Sequence, residues 1–171
     1  MLPDPLHPAV VHLPMALAVL LPVAAVVGLW ATRRGSRVAY AWGVPLALAV
    51  VLTGSAWVAL QTGEGEEERV EAVVSEAAIH DHEQAAERFL VLAGVVTLIG
   101  AAGLLGGTLG SAARILTTAG AVAVLAAGVD VGSKGGDLVY VHGAASAYAS
   151  DASTAALGSS ERDEHGERDG R

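Results

Sequence analysis

No cysteine occurs anywhere in the 171 residues. That absence excludes a disulfide framework, a thiolate metal site, an iron–sulfur cluster and a covalently attached haem. Positive charge is scarce as well: ten Lys and Arg, scattered along the chain, stand against 18 Asp and Glu, for a formal net charge of -8. Nucleic acid is thereby excluded as a partner, because neutralising phosphates needs clustered basic residues. Aromatic residues are few, at 4%, which mildly disfavours a large aromatic-lined site. The short catalytic signatures are missing too. There is no serine nucleophile elbow, Walker loop or dinucleotide fingerprint, and the GG of GGDL has neither a preceding strand pattern nor a following Lys.

Apolar residues fill the sequence instead. With 53% hydrophobic and 16% charged residues, and a mean hydropathy of +0.50, the composition points to a lipid bilayer as solvent. A helix crossing about 30 Å of hydrocarbon needs roughly 20 mainly apolar residues. Leu13 to Ala31, Val38 to Leu60, Phe89 to Leu109 and Ile115 to Val131 meet that requirement, with Asp130 at a span end as their one charged residue. The expected fold is all-α: an integral membrane four-helix bundle over 1–143, followed by a disordered polar tail over 144–171 that lacks apolar surface to offset ordering entropy.

The first span reads as an uncleaved anchor rather than a signal peptide. Met1 to Leu13 carries Asp4 and no Lys or Arg, while Arg33, Arg34 and Arg37 follow the span. Together with Arg114, placed in the second short loop, these residues assign both short loops to the cytoplasm and both termini to the outside. The 61–88 connection is acidic, and within it Val70, Val73, Val74 and Ala77 recur at helical spacing. The pattern predicts a short amphipathic surface helix between the second and third helices, with a solvated acidic hairpin as the alternative. Gly103 and Gly107 in span three, and Gly128 and Gly132 in span four, have the small-xxx-small spacing of close helix packing.

Six histidines occur, and five fall at the expected external boundaries: His7, His12, His80, His82 and His142, with His165 in the tail. Expulsion of polar groups from hydrocarbon could alone put them there. Their neighbours suggest more. In LHPAVVHLPMAL a helix starting at Pro8 puts His12 one turn inside, on a face with Ala16, Val19 and Val23, with a kink at Pro14; a start near Leu13 makes His12 a cap. On the third helix His82, Ala86, Phe89 and Ala93 form one stripe, which should face the bundle, whereas His80 sits with Gln84 and Glu87 toward water. GGDLVYVHG predicts a bend at two glycines, then an extended segment with Leu138, Tyr140 and His142 on one side, folding His142 over the bundle mouth.

Imidazoles from different helices at one membrane depth suit a b-type haem, with Ala and Gly faces leaving room for the porphyrin. His12 and His82 are the leading ligands in this reading, His142 the third, and His7 a further candidate. The rival chemistry is a divalent metal ion held by His with Glu64, Glu67, Glu83 or Glu87. It lacks the Glu-x-x-His signature, since Ala77 stands three residues before His80 and Ile79 three before His82.

LHPAVVHLPMAL, TGEGEEE, the His82-Glu83 step and GGDLVYVHG together resemble the bacterial membrane proteins grouped as domain of unknown function 2231. The resemblance runs from Leu6 to about Ala144, and departs where many members carry an aromatic before the second proline and this chain has Leu13. It implies the fold and the importance of His7, His12, His82 and His142, and no activity. The sequence thus predicts a multi-pass protein of the bacterial inner membrane that binds haem b or another metal. It would transfer electrons between a membrane pool and an extracytoplasmic redox protein. The alternative is a non-enzymatic membrane anchor or partner subunit whose histidines only cap helices. Oligomeric state stays open. A transporter or proton channel is disfavoured by the lack of midplane charge.

Overall fold

The computed structural model of the chain describes residues 6–147, and its elements are all helical. In chain order they are α1 (His7–Val10), α2 (His12–Arg33), α3 (Val38–Glu64), α4 (Glu67–Glu71), α5 (Glu76–Ala102) and α6 (Gly107–Tyr140). Helices α1 and α2 form one path, His7–Arg33, and with α3, α5 and α6 make four helices long and apolar enough to cross a membrane. At 1.5 Å per residue, 27 residues extend about 40 Å, enough for the hydrocarbon with a turn to spare at each end. The chain is therefore a four-helix bundle suited to a bilayer. Most of the expected tail lies outside the described residues.

Helix α2 packs on α3 and α6, and α5 on the same two, so the four helices close a ring. The buried residues of α2 are Pro14, Leu17, Ala18, Leu21, Ala25 and Gly28, a stripe at helical period. It meets Trp42, Ala49 and Leu52 of α3, Phe89, Ala93 and Val96 of α5, and Ala121 and Val124 of α6. Trp42 is fully enclosed, and its indole N–H donates to the Gly100 carbonyl at 2.9 Å. Outward faces are apolar as well: Val19, Val23, Val91, Leu98 and Leu116 are exposed. In water such a surface would associate; in a bilayer it is the lipid contact.

Helix boundaries differ from the sequence reading in four places. Pro14 has no N–H for the Val10 carbonyl, so the first helix breaks at Val11 and resumes at His12; Pro8 occupies the first turn of α1, as in the earlier of the two expected start points. The third span ends at Ala102, not Leu109. Gly103 closes α5 and Gly107, at φ +69°, opens α6, so the pair brackets the interhelical turn; Gly103 also keeps its packing role, since a Cβ there would collide with the Trp42 indole, whereas Gly107 faces open space. Arg114 lies in the second turn of α6, not in a loop. Its buried guanidinium donates to the Gly103 carbonyl, the Leu105 carbonyl at 3.3 Å and Ser111 Oγ at 3.1 Å, closing the end of α5. Finally, α6 runs unbroken through Gly135 and Gly136 to Tyr140, where a bend and an extended segment were expected.

The acidic connection forms the five-residue α4 and a turn into α5, shorter than the expected surface helix. Val74 is buried there with Ile79 and Ala144, while Val73 and Ala77 are exposed. Ala144 reaches that cluster because Gly143, at φ +75°, turns the chain back, letting the Ala144 N–H donate to the Leu138 carbonyl at 2.9 Å.

Candidate functional site

At the end of the bundle where α1, α4 and the close of α6 meet, a cavity of about 200 Å³ opens between the helices. Its walls are mainly apolar, with Val11, Pro14, Met15, Ala56, Phe89 and Leu138 among them, and two imidazoles, His7 and His82, enter it from different helices. Their ring centroids are 6.3 Å apart and their planes nearly perpendicular, at 85°.

His7 is fixed at both backbone and side chain. Glu66 Oε1 accepts from the Leu6 N–H at 2.9 Å and the His7 N–H at 3.1 Å, so a carboxylate 59 residues away caps α1. His7 Nδ1 lies 2.9 Å from the Ala59 carbonyl and 3.3 Å from Thr62 Oγ1. A carbonyl only accepts, so Nδ1 carries the proton and Nε2 keeps its lone pair, the tautomer of a metal-ligating histidine. The ring can lie against α3 because residue 63 is glycine: a Cβ there would stand 3.1 Å from His7 Cε1.

His82 is seated the same way on α6. A Cβ at Gly135 would stand 3.1 Å from His82 Cε1, whereas one at Gly136 would meet nothing within 4 Å. The ring's Nδ1 is enclosed and has no hydrogen-bond partner. The backbone of Val131, one turn before Gly135 on α6, lies within hydrogen-bonding reach of the same ring. The expected stripe holds, with Ala86 and Phe89 lining the cavity below His82 and Ala93 buried deeper. His80 faces outward, as expected, with Gln84 Nε2 2.8 Å from its Nε2.

The other two expected ligands lie elsewhere. His12 is exposed, on the outward face it shares with Ala16, Val19 and Val23. Two residues separate it from buried Pro14, about 200° around a helix, whereas His7 is seven residues back and returns to the buried side. That phase was available in the sequence, masked by the choice between two start points. His142 is exposed beyond the end of α6, because the helix continues where a bend was expected.

Glu64, Glu66, Glu67 and Glu83 also line the cavity. Among the described residues, no three His, Asp or Glu side chains converge as a group able to hold a metal ion. A divalent ion held by His with Glu therefore finds no assembled ligand set there. For haem b the donors suit the group better than the space does. A porphyrin exceeds 200 Å³, so it would require the cavity mouth to widen, while a single metal atom would not. No family model matches this chain, and neither does any curated protein or solved structure.

Proposed function

We propose that this chain is a multi-pass membrane protein that binds a metal-containing cofactor, haem b or a bare metal ion, between His7 and His82. One observation carries the reading: two imidazoles on separate helices, each seated against a glycine, at a centroid separation of 6.3 Å. Two imidazoles in line across one metal, at about 2.0–2.1 Å per bond and with roughly 1.1 Å from each nitrogen to its ring centre, have their centroids about 6.3 Å apart. The fixed Nδ1–H of His7, which turns Nε2 toward the cavity side as the free nitrogen, supports the same reading. Haem would add electron transfer between the membrane and an extracytoplasmic partner.

The same proposal places the histidine end outside a bacterial inner membrane, because Arg33, Arg34, Arg37 and Arg114 all lie at the opposite end. It also keeps the resemblance to domain of unknown function 2231, of whose four histidines His7 and His82 are the ones in the cavity. Absorption spectroscopy and elemental analysis of the detergent-purified chain test it. A Soret band, or stoichiometric metal without one, is the expected result. A colourless, metal-free protein that takes up neither haem nor metal would leave the second reading, a membrane anchor whose histidines begin helices, as His7 and His12 do for α1 and α2.

A further inference from the structure

We infer that the arginine end of the bundle seats an anionic phospholipid, whose phosphate lies against Arg33, Arg34 and Arg37; this seat is independent of the cavity and of what fills it. All three side chains are exposed, around the short turn between α2 and α3. Their spacing aligns them with lipid-facing groups. Trp30 precedes Arg33 and Arg34 by three and four residues, and Val27 and Val26 precede Trp30 by the same steps, so the outer side of α2 runs from aliphatic to indole to guanidinium. Val44, Tyr40 and Arg37 repeat the order on α3. A phospholipid presents the matching order, from acyl chain through the glycerol interface to the phosphate. The Arg34 guanidinium, 4.9 Å above the Trp30 ring, is held at that interface.

Charge selects the headgroup. Every Asp and Glu among the described residues lies within 64–87 or 130–137, toward the histidine end. The one nearest the arginine end along a helix, Glu87, stands fifteen residues before Ala102, about 22 Å at 1.5 Å per residue. Screening in physiological salt acts over about 8 Å, so none of these carboxylates offsets the three guanidiniums. A zwitterionic lipid brings its own ammonium group into that positive field, whereas phosphatidylglycerol brings a net negative charge. Arginine also suits phosphate by shape, since its planar fork can bond two oxygens at once. Arg114 is buried and turned to the carbonyls of Gly103 and Leu105, which leaves the three exposed arginines for lipid.

The test uses the full chain in neutral detergent micelles, titrated with phosphatidylglycerol or phosphatidylcholine, with bound lipid counted by native mass spectrometry. Phosphatidylglycerol should bind more tightly by roughly a hundredfold, about fivefold for each arginine. The combined variant Arg33→Gln, Arg34→Gln, Arg37→Gln should lose that preference, and Lys134→Gln, at the histidine end, should keep it. Because three changes in one turn could disturb the hairpin, the charge-conserving Arg33→Lys, Arg34→Lys, Arg37→Lys serves as the second variant and should keep most of the preference. Equal affinity of the wild type for the two lipids overturns the inference, and so does a preference that survives the glutamine variant or vanishes in a folded lysine variant. Displacement of the lipid by inorganic phosphate at equal concentration would also overturn it, in favour of a free-anion site.

Discussion

Gly63 and Gly135 each stand where a methyl group would press on an imidazole, at 3.1 Å from Cε1 of His7 and of His82 respectively. That contact is tight enough that the ring must shift by a few tenths of an ångström. Gly136, one residue on, has open space. The pair therefore separates two roles that sequence alone merges. Gly136→Ala should stabilise the protein by about 0.5–1 kcal/mol, the usual gain on replacing a mid-helix glycine. Gly135→Ala should forfeit that gain and, on the proposed two-imidazole reading, weaken haem or metal binding, since the His82 ring loses its seat. Unfolding in mixed micelles, run beside cofactor titration, reads both effects. Equal behaviour of the two variants would show that His82 does not need the glycine. In the sequence the GG pair reads as a bend, because glycine's lack of a Cβ serves a turn and a close approach equally well.

Arg114 shows the corresponding issue for an element. Its guanidinium gathers the carbonyls of Gly103 and Leu105, groups that the end of α5 leaves without helical partners. Ser111 Oγ accepts a further bond. Arg114→Leu should cost about 1–3 kcal/mol, the usual penalty for buried polar groups left unpaired, and reversible unfolding in micelles measures it. A change below a few tenths of a kcal/mol would mean that lipid headgroups or water already serve these carbonyls. The existence of all four long helices was legible, because runs of some twenty apolar residues admit few other structures. Their ends were not. Gly103 to Gly107 kept the apolar run going through a turn, and Arg114 sat where a charge suggests a loop but a buried set of carbonyls accepts it inside a helix. The phase of α5 was legible from His82, Ala86, Phe89 and Ala93, a regular stripe. That of the first helix was masked by the choice of start point: the path runs on through Val11 in helical geometry, so His7 and not His12 returns to the side of buried Pro14.

Across the whole molecule, apolar side chains clothe the outside while polar groups collect at the two ends. Trp30 and Tyr40 are exposed near the arginine end, with the Arg34 guanidinium 4.9 Å above the Trp30 ring. Trp57 and Tyr140 are exposed toward the histidine end. Such aromatic girdles mark both interfaces of a bilayer. The proposed orientation, arginines inside and histidines outside, predicts that in intact cells a membrane-impermeant maleimide labels Glu68→Cys and spares Ser36→Cys. The cysteine-free sequence makes each variant the sole target. Labelling of Ser36→Cys alone would invert the topology and put the cavity on the cytoplasmic side.

The central claim is that His7 and His82, drawn from different helices, make one binding site to which the other boundary histidines do not contribute. Cofactor occupancy across five single variants tests it most directly: His7→Ala, His12→Ala, His80→Ala, His82→Ala and His142→Ala, each purified alike and checked for helicity. The account predicts that haem or metal is lost from His7→Ala and His82→Ala only, because those rings share the cavity and the exposed His12, His80 and His142 do not. Loss from His12→Ala or His142→Ala with His7→Ala intact, or full occupancy in all five folded variants, would contradict it.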